Sequence, residues 1–78
     1  MARFAICVDN SEYPASLELH KLYRVVRDVK SERDGDLRVV DESGEDYLYP
    51  ASHFVVVELP RGQANTVTRS FTTAKGAR

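Results

Sequence analysis

Residues 44–50 read GEDYLYP and residues 51–59 read ASHFVVVEL. Ser43-Gly44 has the chemistry of a tight turn. Tyr47 to Tyr49 then reads as a short aromatic strand. Pro50 has no N–H to donate, so it ends the ladder there. Ala51 to His53 has the length of a single 3₁₀ turn. Phe54 to Leu59 is a second, strongly apolar strand. Turn, strand, connector and strand follow without a spare residue, as they do at the end of a small, closed β-barrel.

Working outward, the same period of two recurs upstream. Phe4, Ile6 and Val8 alternate with Arg3, Ala5 and Cys7, the pattern of a half-buried strand. Asp9, Asn10, Ser11 and Pro14 break it. Ala15 to Leu19 suits one helical turn or a diverging turn, and is too short for an independent helix. His20 to Asp28, rich in Tyr, Leu and Val, predicts the second strand. Lys30 to Asp36 reads as a charged loop, with Asp34-Gly35 as its turn signal. Leu37 to Asp41 predicts the third strand. There is no internal repeat and no heptad. Five short strands predict an all-β fold, a small five-stranded barrel whose closure removes exposed edges.

Two places resemble the SH3-like barrel family. Leu22-Tyr23 stands where that family has a Leu-Tyr pair on its first barrel strand. Tyr49-Pro50-Ala51-Ser52-His53-Phe54-Val55 is similar to its apolar-Pro-Ser-Asn-Tyr-Val segment. The resemblance spans about residues 20–59 and implies a binding module. Peptide-binding members grip a polyproline II ligand in an aromatic groove, using a Trp on the strand after the long loop. This chain has no Trp, and Leu37-Arg38-Val39-Val40 occupies that region. Tyr23, Tyr49 and Phe54 remain as parts of an aromatic surface. The run as a whole, with CVDN near the start and DESGEDYLYP later, also resembles a group of short bacterial proteins with no assigned activity, which implies a bacterial origin.

With 78 residues the chain holds one domain, marginal in stability by burial alone. Its single cysteine, Cys7, excludes an internal disulfide, and no Cys/His spacing suits zinc. A lone thiol and the lack of a signal-like or membrane-length stretch suggest a cytoplasmic protein with no membrane association. Charge divides sharply at Pro60. Residues 1–60 carry 7 Lys and Arg against 12 Asp and Glu, a net of −5. Residues 61–78 carry four basic side chains and no acid. Poor in large apolar residues, this part reads as a flexible basic tail on a 1–60 domain.

The candidate chemistry is thin. Asp41, Glu42, Glu45 and Asp46 flank the Ser43-Gly44 turn. Hard cations want several oxygens, but the spacing matches no calcium loop, so the cluster reads as solvated or as a docking patch for a basic partner or for the chain's own tail. Tyr47 and Tyr49 share one face of their strand and Leu48 takes the other. If Leu48 faces the core, both rings lie outside and grip a ligand. Otherwise they are core rings with hydroxyls at the rim. Cys7 reads as a buried, inert thiol. His20 and His53 stand apart, and a Cys7–His20–His53 metal set has no supporting spacing. No nucleophile motif or phosphate loop occurs.

These observations predict a non-catalytic protein–protein interaction module without metal or cofactor. Its surface joins Tyr23, Tyr47, Tyr49 and Phe54 to the acids Asp41, Glu42, Glu45 and Asp46. Its partner is a protein, and the chain itself a monomer or weak homodimer. The alternative is a nucleic-acid-binding barrel using Arg24, Arg27, Arg38 and the tail, although Asp28, Glu32, Asp34 and Asp36 interleave with those bases.

Overall fold

The computed structural model describes residues 2–63. The tail expected at 61–78 lies outside the described residues from position 64 onward. Five strands form one antiparallel sheet: β1 (Ala2–Cys7), β2 (Leu22–Val26), β3 (Asp36–Val40), β4 (Asp46–Pro50) and β5 (Phe54–Leu59). Their order is β4-β3-β2-β1-β5. A 3₁₀ turn over Ala51–His53 joins β4 to β5, as the sequence predicts. No described helix is long and apolar enough to cross a membrane.

β2 is shared between two halves of the sheet. Leu22 to Arg24 pair with β1, whereas Val25 and Val26 pair with β3. The sheet therefore bends within β2. Ala5, Cys7 and Phe54 from one half meet Leu37, Val39 and Tyr49 from the other in a single buried cluster, with Tyr23 and Leu17. The curl does not close. Among the described residues no ladder joins β4 to β5, so closure into a barrel is not part of the observed fold.

The inward face of β1 is the opposite of the one that hydropathy suggests. Ala5 and Cys7 are fully buried in the cluster, while Val8 is exposed. Phe4 is buried too but stands outside that cluster. Ala5 lies opposite Tyr23, and Cys7 lies opposite Phe54. Small residues on β1 thus leave room for two rings on the same face. Burial raises the Cys7 thiol pKa, keeping it protonated.

The charged segment after β2 is not a loop throughout. Val29–Arg33 forms a short helix, α1. Five residues do not hold a helix alone, and this one is fastened at both ends. The Asp28 carboxylate accepts from Ser31 N–H at 3.1 Å, and Glu32 accepts from Asp28 N–H at 3.2 Å. This is a reciprocal N-terminal cap. Glu32 also accepts from Arg3 of β1 at 2.6 Å. Gly35, at φ +85°, ends the helix in the left-handed region. Asp34-Gly35 is therefore a helix stop and not a hairpin turn. Because Asp28 caps the helix, β2 ends at Val26, before the strand end expected from the sequence.

Candidate functional site

The site is built around the β3–β4 turn. Gly44 adopts φ +85° at its tip, a geometry that glycine tolerates. Asp41 N–H donates to Glu45 C=O at 3.1 Å and Gly44 N–H to Asp41 C=O at 3.0 Å. The Asp41 side chain turns inward and is only 5 % exposed. It accepts from Ser43 N–H at 2.9 Å, Ser43 Oγ at 2.5 Å and Tyr49 OH at 2.6 Å. Burial alone raises its pKa, but the Ser43 and Tyr49 bonds outweigh burial and hold it below the ordinary carboxylate value. The partner hydroxyl of Tyr49 is pushed up to about 12 by burial and by that bond. Asp41 is thus a buried anion, not one of a group of solvated tip acids.

Glu42, its neighbour, ties the turn to the β1–β2 loop. Its N–H donates to Ser16 C=O at 3.0 Å. Its carboxylate accepts from Lys21 Nζ at 2.7 Å and from Tyr23 OH at 2.5 Å. Tyr23 OH in turn accepts from Glu18 N–H at 2.7 Å. Burial first, and then the bond to Glu42, raise the Tyr23 hydroxyl pKa. The same loop sends Tyr13 against Tyr49, edge to face, with ring centroids 4.9 Å apart. Tyr49 also meets the Phe54 ring edge-on at 6.2 Å.

The eight residues expected to share a surface therefore separate. Tyr23, Tyr49, Phe54 and Asp41 are buried, and Glu42 is half-buried. Glu45, Asp46 and Tyr47 are exposed. The two tyrosines of β4 do share a face, as parity requires, yet they divide between the alternatives. Tyr49 is a core ring with its hydroxyl on Asp41, whereas Tyr47 is 49 % exposed. The reason is position along the strand: Tyr49 lies under the Tyr13 loop, and Tyr47 lies nearer the turn. Leu48 is also exposed.

An open hollow of ≈ 460 Å³ is lined by Tyr13, Ser16, Asp41, Ser43, Tyr47, Leu48 and Tyr49. Successive side chains of a strand point to opposite faces. A hollow touching three consecutive residues of β4 therefore runs along the strand edge. Among the described residues β4 ends the sheet, and the bonds at either end of its ladder fix its hydrogen-bonding phase. Ala51 N–H donates to Gly35 C=O at 2.8 Å beyond one end of the β3–β4 ladder. The Asp41–Glu45 bond lies beyond the other. In an antiparallel pair, bonded and non-bonded residue pairs alternate. Given the register Leu37–Tyr49 and Val39–Tyr47, Tyr47 and Tyr49 direct their main-chain groups to β3. Asp46, Leu48 and Pro50 direct theirs outward into the open edge. Pro50 thus falls where its missing N–H removes no bond from β3. Periodicity alone did not expose this edge. The signal available in the sequence was the single Pro at the strand end.

The other candidates disperse. Arg38 is held by Asp28 at 3.0 Å and reaches Asp46 at 3.4 Å. Arg24 and Arg27 are exposed, with Arg27 acting electrostatically on Glu32. His53 is buried, with Nε2 3.5 Å from Glu12 and 4.0 Å from Asp9. Among the described residues no three His, Cys, Asp or Glu side chains converge to hold a metal. No family model, curated protein or solved structure matches this chain.

Proposed function

We propose that this protein is a non-catalytic, SH3-like protein-recognition module that captures an extended segment of its partner along the free edge of β4. The observation that carries this reading is the coincidence of two features. The outward main-chain groups of Asp46 and Leu48 lie beside a hollow walled by Tyr13 and Tyr47. An incoming strand gains affinity from those main-chain bonds and selectivity from side chains that enter the hollow. The ionised Asp41 in its lining and the exposed Glu45 and Asp46 beside it favour a basic residue in the partner. Tyr47 offers a rigid ring for an apolar or guanidinium group. The tight β3–β4 turn and the 3₁₀ turn before β5 support the SH3-like reading. The absence of Trp is consistent with strand addition replacing polyproline recognition. The lone buried thiol suits a cytoplasmic setting.

The test is selection of binding peptides from a random library displayed in extended form, using the full chain as bait. The expected consensus alternates apolar residues and contains at least one Arg or Lys, and Tyr47→Ala abolishes selection while the variant stays folded. Recovery of no peptide, together with oligonucleotide binding that falls steeply with salt, would transfer the function to Arg24, Arg27 and Arg38.

A further inference from the structure

We infer that the β4 edge is also the surface on which two copies of this chain pair, strand against antiparallel strand, about a two-fold axis through Leu48. The inference rests on the reading of β4 as an open edge and adds a competitor for it. A second copy holds the edge weakly until a basic partner displaces it.

A two-fold axis leaves few ways to pair this strand with itself. Main-chain groups that face outward must meet others that face outward, so Asp46, Leu48 and Pro50 of one copy bond only the same three of the other. An axis at Asp46 sets two carboxylates directly opposite each other, which is destabilising. An axis at Tyr47 leaves the two Asp46 side chains two residues out of step, roughly 8 Å apart, where they still repel at physiological salt. An axis at Tyr49 pairs Leu48 with Pro50, and the missing N–H of Pro50 removes a bond from each such pair. An axis at Leu48 sets Asp46 opposite Pro50. The two Asp46 carboxylates then lie four residues out of step, roughly 14 Å apart, beyond the Debye length of about 8 Å. Leu48 N–H and C=O bond the same groups of the second copy, and Asp46 N–H donates to Pro50 C=O at either end.

The side chains suit that axis. Leu48 is 45 % exposed, and the two Leu48 side chains meet across it. On the other face the exposed Tyr47 comes beside Tyr49 of the second copy, a favourable aromatic cross-strand pair. Arg38 already reaches Asp46 at 3.4 Å and offsets part of its charge. The interface is small. β4 has five residues, against roughly 20–30 on each side of a standard interface. The strand of the second copy also brings no cation to Asp41, Glu45 and Asp46. The pair is therefore weak, and a basic segment replaces it.

The experiment is sedimentation equilibrium from micromolar to millimolar concentration, joined to amide hydrogen exchange by NMR, on the full chain and on its Leu48→Lys variant. The variant sets two ammonium groups opposite each other across the axis. The expected result is a parent mass that climbs from one copy toward two as concentration rises. The Asp46 and Leu48 amides then exchange at least about threefold more slowly at the highest concentration than at the lowest. Leu48→Lys stays at the mass of one copy throughout. Tyr47 and Tyr49, bonded to β3, keep equal protection in both chains, which shows that each is folded. In a sample of half-labelled chains, contacts appear between the Leu48 side chains of the two copies. A parent that stays at one copy throughout would overturn the inference. So would a pair that persists in Leu48→Lys, because another surface then joins the copies, or contacts between the two Tyr47 rings, which place the axis elsewhere. A library-selected peptide added to the dilute parent chain separates the two claims. If it protects Asp46 and Leu48 in a chain that never pairs, strand addition stands and self-pairing is lost. If the chain pairs through Leu48 but takes up no peptide, self-pairing stands and capture of an outside strand is lost. If neither occurs, both are lost.

Discussion

Asp41→Asn tests whether the buried carboxylate holds the β3–β4 turn to the core. In the native chain the carboxylate receives three donors, from Ser43 N–H, Ser43 Oγ and Tyr49 OH. An amide keeps the shape but loses the charge. One of its two ends becomes an NH₂ that faces a donor. A bond to a charged group contributes about 1.5–3 kcal/mol, so losing one and weakening the others costs about 2–3 kcal/mol. For a domain of this length each kcal/mol shifts Tm by about 4–8 °C, which gives a fall of roughly 8–24 °C at pH 7. The pH dependence has a definite sign. The folded pKa of Asp41 lies below its unfolded value. Its stabilisation is therefore complete above the unfolded value, about 3.9, and is lost as pH falls through the folded one. The difference between parent and variant should shrink on acidification below about pH 4. The assay is urea unfolding followed by circular dichroism at several pH values. A difference under about 0.5 kcal/mol at neutral pH, the range of an ordinary surface substitution, would refute the reasoning. So would a difference that does not change with acid.

Other expectations follow from the same geometry. Tyr49→Ala should cost about 3–5 kcal/mol and unfold the chain in a thermal melt, whereas exposed Tyr47→Ala should stay within about 0.5 kcal/mol of the parent. Gly35→Ala meets no neighbouring atom within 4 Å, so its cost is the left-handed backbone alone, about 1–2 kcal/mol in denaturant unfolding. Tyr23→Phe removes the hydroxyl that bridges Glu18 N–H and Glu42, and should speed amide exchange at Glu18 about tenfold or more. Cys7 should react with a thiol reagent only as fast as the fold opens, and a rate matching that of a free thiol would show that the β1 face is wrongly placed.

The strands were legible because their residues obey a period of two between clear breakers. β5 and the 3₁₀ turn fall where the sequence places them, although Pro50 itself stays within β4 and removes no bond from β3. The helix over Val29–Arg33 was harder to see. Its signal is Asp28 with Ser31 and Glu32, a local cap whose Glu32 also accepts from Arg3 of β1. The inward face of β1 was misleading because hydropathy favours Phe4, Ile6 and Val8, while space beside Tyr23 and Phe54 favours Ala5 and Cys7. The acid cluster hid a division that no spacing encodes. Asp41 becomes buried because Tyr49 and Ser43 supply its donors, whereas Glu45 and Asp46 on the same turn stay in solvent. The candidate edge of β4 depends on the phase of hydrogen bonding, which hydropathy does not report.

The most direct test of strand addition is an NMR titration of the labelled full chain with a library-selected basic, alternating peptide, reading hydrogen-bond couplings across the new strand pair. The account predicts couplings from the peptide to the main-chain groups of Asp46 and Leu48, with Tyr47 and Tyr49 still bonded to β3. Binding that leaves Asp46 and Leu48 unperturbed and shifts Arg24 and Arg27 instead would contradict it.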